Sequence, residues 1–280
     1  MNKRQFLFQG IICLMLAGLS ACNTAPYEQK VAKNYQANLQ TVLGNPFTHQ
    51  VYVNTAAFTD QTDNRKQRFL HVYIGGDGRP FSKKGYYSNN PTPLNPLLLD
   101  LMKQDKQSAI YLGRPCYFIA KDDYCTPNWW TSHRYNQQVI TSLLKALSSF
   151  SHRYEHIVLI GYSGGGTLAM LMAEQLQEAR ILVTLAGNLD IFEWTTHHEY
   201  TPLMESLNPA DLAPLRKNII QLHYAGEDDD NIKASWIKDV AEKQRQAEFH
   251  LIEDADHSCC WADLWPDVLT KIESYQSFVD

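Results

Sequence analysis

Apolar positions along this chain gather into short runs with two spacings, separated by polar stretches rich in Gly, Pro, Asn and Asp. Compact runs with β-branched residues predict strands over 50–55, 69–74, 109–112, 157–160, 181–185, 219–224 and 248–252. Longer stretches with helical spacing predict helices over 94–104, 134–150, 167–179, 232–244 and 261–275. The run 157–160 has no polar alternation, which suits a strand buried on both faces of a parallel sheet. Strands and helices take turns along the chain. That order predicts an α/β fold, a mainly parallel sheet with helices on both faces. Ligands of such sheets bind at the carboxyl ends of the strands. Residues 23–44 are polar and weakly patterned and read as a spacer, leaving 45–280 as one domain with one core.

The first residues change the picture of where the domain works. Lys3 and Arg4 precede an apolar stretch over 6–19, shorter than the ~20 residues that span a bilayer. Leu19-Ser20-Ala21-Cys22 follows and resembles the lipobox of bacterial lipoproteins. The resemblance implies a signal peptide over 1–21 and Cys22 as a lipidated mature N-terminus, with 22–44 forming that terminus and its spacer. Asn23 stands where Asp would signal inner-membrane retention, which implies outer-membrane anchoring with the domain facing the periplasm.

Net charge is −5 and no basic block occurs, which argues against nucleic acid as a partner. Cysteine usage fits export. Apart from Cys13 and Cys22, four cysteines remain, and an oxidising compartment allows three pairings among them. Cys116 with Cys125 is the natural bridge, closing a short loop worth about 2–3 kcal/mol. Cys259 and Cys260 are adjacent, either a vicinal bridge or two thiols. Asp256 and His257 lie beside them, but no second pair of soft ligands is visible, so no metal site is expected.

The chemistry centres on Gly161-Tyr162-Ser163-Gly164-Gly165, which fits the G-x-S-x-G nucleophile elbow. A strand-like run precedes it and an apolar helical run follows, the order that the elbow requires. Further patches are Gly76-Asp77-Gly78, 91–96, Arg114-Pro115-Cys116, Arg134-Tyr135, 186–190 and 206–211. With these, residues 45–280 resemble the α/β-hydrolases, and within them a group of bacterial exported hydrolases.

That resemblance implies an acid and then a histidine after the serine. His250 lies inside a predicted strand, whereas His257 lies in the loop beyond it, free to reach over the serine. The superfamily pattern Gly-x-x-Asp-x-x-(Val/Ile) falls on Gly226, Asp229 and Ile232, making Asp229 the expected acid. Asp190 is the alternative, since some relatives place the acid one strand earlier. For the oxyanion hole the resemblance implies the N–H of Gly164 and that of Asp77, in a Gly75–Gly78 loop similar to the His-Gly-x-Gly loop of lipases and esterases. The Asp77 carboxylate is expected to turn away and brace that loop. Residues 190–212 are too short for a cap domain and imply a short lid segment.

The function implied is a membrane-anchored periplasmic serine hydrolase, a carboxylic-ester hydrolase taking a small-molecule ester or acyl substrate with no cofactor. The same triad would also serve acyl transfer, thioester hydrolysis or peptide cleavage. A non-catalytic envelope lipoprotein is the rival of another class.

Overall fold

The computed structural model describes residues 27–60, 66–119 and 122–279. The signal peptide and Cys22 expected from the sequence lie outside the described residues. Among the described residues eight strands form one sheet: β1 (Asn38–Leu43), β2 (Thr48–Val53), β3 (Gln67–Ile74), β4 (Ala109–Leu112), β5 (Tyr154–Tyr162), β6 (Ala179–Leu185), β7 (Ile220–Gly226) and β8 (Ala247–Ile252). Their order across the sheet is β1-β2-β4-β3-β5-β6-β7-β8. β1–β2 and β2–β4 are antiparallel, and every other neighbouring pair is parallel. The chain thus has the mainly parallel α/β architecture that strand–helix alternation predicts.

The helices are α1 (Tyr27–Asn34), α2 (Thr55–Asp60), α3 (Leu97–Gln104), α4 (Gln137–Ser151), α5 (Gly164–Gln175), α6 (Ile191–His197), α7 (Ala234–Glu242) and α8 (Trp261–Gln276). α3 packs against α8 and α4 against α5. Central strands are buried almost end to end; β5 is buried from His156 to Gly161. α5 is buried from Gly164 to Ala173, the mark of a helix enclosed by core rather than laid on a surface. No helix among the described residues is long and apolar enough to cross a membrane.

The spacer reading of 23–44 is corrected from Tyr27 onward. α1 buries Val31 and Ala32, and β1 pairs along its whole length with β2. β1 is an edge strand with only half-buried and exposed positions, so its sequence Asn-Leu-Gln-Thr-Val-Leu lacks the apolar density of the inner strands. Other boundaries move for local reasons. β2 ends at Val53 because the Asn54 side chain accepts from the Ala57 amide at 2.9 Å and starts α2. α4 begins at Gln137, not near Arg134, because Asn136 caps it by accepting from the Gln138 amide.

Cys116 and Cys125 are joined, with sulfurs 2.05 Å apart, and Cys259 is joined to Cys260. Among the described residues no group of three His, Cys, Asp or Glu side chains is placed to hold a metal ion.

Candidate active site

β5 runs out at Tyr162 and α5 starts at Gly164, and the residue between them is Ser163 at φ 53° and ψ −126°. A side-chain-bearing residue at positive φ is strained and persists only where its surroundings hold it. Here they do. The Ser163 amide donates to Leu185 O at 3.0 Å, while its carbonyl accepts from the amides of Gly166 and Asn188 at 2.9 and 3.1 Å. The flanking glycines are needed for room: a Cβ on Gly161 would lie 2.3 Å from Gly165 O, and one on Gly165 2.0 Å from Ile74 O. The turn therefore lifts one hydroxyl to the carboxyl end of the sheet. Gly164, first residue of α5, has an amide with no intrahelical acceptor, at the positive end of the helix.

His257 lies beyond β8, before α8. Its Nε2 is 3.0 Å from Ser163 Oγ and its Nδ1 is 2.9 Å from Asp229 Oδ2. A carboxylate only accepts, so the proton sits on Nδ1 and Nε2 is left to accept from the serine hydroxyl. Asp229 is fully covered, and His257 keeps 23% of its side chain exposed at the cleft. The backbone of His257 is held as well: its carbonyl accepts from Tyr162 Oη at 2.9 Å and from Trp261 Nε1 at 3.0 Å. Burial raises the Tyr162 phenol above its usual range and the nearby Asp229 charge adds to this, so the hydroxyl stays a donor.

The alternative residues sit elsewhere. Asp190 caps α6, its Oδ1 accepting from the amides of Phe192 and Glu193 and from Asn208 Nδ2. His250 is in β8, stacked on Tyr224 with ring centroids 4.6 Å apart.

The Gly75–Gly78 loop abuts the serine: a Cβ added to Gly76 would lie 3.2 Å from Ser163 Cβ. Asp77 follows in that loop, and its carboxylate is turned into Arg114, Arg134 and Tyr135. Those three partners lie in the Arg114-Pro115-Cys116 and Arg134-Tyr135 patches, but nothing in the sequence joins them to Asp77. Tyr162 and Trp261 as holders of His257 were not legible either.

Ser163 and His257 line a cleft of 810 Å³. Its walls are largely aromatic and aliphatic, with Tyr87, Leu97 and Tyr111 among them, and with Trp194, Tyr200 and Leu203 from α6 and the segment after it. The short lid segment expected over 190–212 thus forms one wall.

No protein-family model matches the chain, and no curated protein matches it in sequence. Solved structures do resemble it. Est1E from Butyrivibrio proteoclasticus, with ferulic acid bound, has a TM-score of 0.61 at 10% identity, over 85% of this chain and 98% of that one. An esterase of Pyrococcus furiosus has a TM-score of 0.59 at 12% identity, over 88% and 93%. An alpha-beta serine hydrolase homologue from Coxiella burnetii gives 0.55 at 12%, over 84% and 95%. The chain has the α/β-hydrolase fold that its sequence resembles.

Proposed function

We propose that this chain is a serine hydrolase that cleaves small-molecule carboxylic esters. The observation that carries the reading is the hydrogen-bonded line from Ser163 Oγ through the His257 ring to Asp229, on a strained turn at the base of a cleft. Nothing in the fold requires all three groups to meet there.

In this reading Ser163 Oγ attacks the ester carbon as its proton passes to His257 Nε2. The carbonyl π pair moves onto oxygen, where the amides of Gly164 and Asp77 receive it. Asp229 keeps the imidazole in the right tautomer and stabilises its cation. Collapse expels the alcohol, which takes the proton from His257. Water then repeats the sequence on the acyl-serine and releases the acid. The apolar walls suit an ester with a bulky apolar group, and the cleft volume lies in the range of small-molecule sites.

The test is labelling with a fluorophosphonate followed by turnover of an ester panel. Wild type should label and turn over, whereas Ser163→Ala should lose both, turnover by roughly 10⁴–10⁶-fold, with the fold intact. Equal labelling of the alanine variant would put the nucleophile elsewhere. Transfer of the acyl group to an added amine or alcohol in preference to water would recast the enzyme as an acyltransferase.

The proposal extends to place: a lipid on Cys22 tethers the domain to the outer membrane, facing the periplasm. It is supported by the sequence Leu19-Ser20-Ala21-Cys22 and by the two joined cysteine pairs, which suit an oxidising compartment. Mass spectrometry of membrane-fraction protein should find lipidated Cys22 at the N-terminus. An unmodified terminus at another residue would reject the anchor.

A further inference from the structure

Three charged side chains meet behind the proposed oxyanion site, and they do not cancel. Asp77 Oδ1 is 2.5 Å from Arg114 Nη1, and Oδ2 is 2.7 Å from both Arg134 Nη1 and Tyr135 Oη. Arg114 and Arg134 are 2% and 4% exposed, so one half-buried carboxylate faces two buried guanidiniums. Burial alone would raise the Asp77 carboxyl, but Arg134 and Arg114 outweigh it and hold the group far below the usual carboxylate range. Tyr135 is also buried, which keeps its phenol protonated and donating.

The same carboxylate lies beside both residues expected to supply the oxyanion donors. It belongs to Asp77, whose amide is one of them and whose carbonyl is fixed by Tyr117 Oη at 2.8 Å. It also fills the space beside Gly164, the other: a Cβ there would lie 2.2 Å from Asp77 Oδ1 and 2.4 Å from Tyr135 Oη. A loop brace alone would need one arginine. A second buried cation is costly without an anion to meet it. A tetrahedral intermediate beside Ser163 would bring one.

We propose that Arg114, Arg134 and Tyr135 are positioning residues of the oxyanion site: by gripping the Asp77 carboxylate they set the Asp77 amide beside that of Gly164, and their surplus cation offsets the charge growing on the substrate oxygen. The inference rests on the serine-hydrolase reading above. Arg134 is the more telling arginine, since it lines the cleft while its Nε donates to Thr131 O at 2.7 Å.

The experiment uses the full chain, with kcat expressed per active site titrated by fluorophosphonate. Arg134→Gln should lower kcat per site by about 10²-fold, in the range seen for loss of an oxyanion donor. KM should move by less than about threefold, because the interaction forms in the transition state. Affinity for an alkylboronic acid, which forms a tetrahedral anion on the serine, should fall in step with kcat/KM. Arg134→Lys should recover part of the loss, keeping the charge but not the planar fork. If Arg134→Gln fails to fold, Tyr135→Phe carries the test. It removes one hydrogen bond to the carboxylate and should lower kcat per site about 5- to 10-fold.

A structural brace would instead lower the melting temperature and the number of titratable sites, leaving kcat per site and boronate affinity as in wild type. That outcome overturns the inference. Wild type that neither labels nor turns over any ester fails the serine-hydrolase reading itself, and this inference with it.

Discussion

Asp229 gives one oxygen to His257 and keeps the other for its own loop. Oδ2 meets His257 Nδ1 at 2.9 Å, while Oδ1 accepts from the amides of Asn231 and Ile232 at 2.9 and 2.8 Å. Those two backbone bonds lock the carboxylate against rotation, and the carboxylate in turn locks the imidazole. The glycine–aspartate–isoleucine spacing after β7 thus has a physical content. The Ile232 amide holds Asp229, and the fully buried Ile232 side chain fixes that amide.

Asp229→Asn should cut ester turnover by about 10⁴-fold with little change in folding, because an amide can present N–H to Nδ1 and favour the wrong tautomer. Asp190→Asn should stay within a few-fold of wild type, since Asn serves as well as Asp at a helix cap. Steady-state kinetics on both variants separate the two acids. A crippled Asp190 variant beside an active Asp229 variant would move the orienting role.

The parts of the molecule legible in the sequence are those whose cause is local. The elbow could be read because its glycines, its buried strand and its helix are consecutive, and the backbone contacts at Gly161 and Gly165 forbid a side chain. The inner strands could be read because burial on both faces leaves only apolar residues. β1 could not, because an edge strand tolerates Asn38, Gln40 and Thr41. α6 is short, and its cap, Asp190, could also be read as the alternative acid. The grip on Asp77 was hidden for another reason. Arg134 lies 57 positions from Asp77, and an ion pair across that distance leaves no periodic trace. Tyr162 occupies the variable position of the elbow motif, so its bond to the His257 carbonyl has no signature either.

Reducing the bridge between Cys116 and Cys125, or replacing both by serine, should cost about 2–3 kcal/mol of stability, the loop-closure value for so short a loop. Arg114 lies two residues before Cys116 and contacts Asp77, so the loss should also slow turnover. Urea unfolding and ester kinetics on the double serine variant measure the two effects. A non-reducing peptide map with either cysteine free, or joined to Cys259 or Cys260, would contradict the pairing.

Stability should fall as pH drops from about 6.5 toward 4, through two buried histidines outside the site. His49, between Gly113 O and Ser142 Oγ at 2.8 Å each, is lowered to about 4 by burial, against the opposing pull of the Gly113 carbonyl and Asp122. His223, bonded to Thr184 Oγ1 at 2.8 Å, is lowered to about 4 by burial and by the neighbouring His250. Both stay neutral in the fold while the unfolded chain takes up protons from about pH 6.5 downward. The unfolded state therefore binds more protons across this window, and each histidine tilts the curve by up to ~1.4 kcal/mol per pH unit. The total is on the order of 3 kcal/mol apiece, complete near pH 4. Asp77 acts lower: its depressed carboxyl stabilises the fold above the ordinary Asp range, and that part is lost progressively as pH falls from that range through its folded value. Urea unfolding from pH 4 to 8 reads the slope. His49→Gln should be less stable at pH 7.5, having lost a hydrogen bond, yet show a slope shallower by one proton. An unchanged slope in that variant would mean that His49 is not the group taking up the proton.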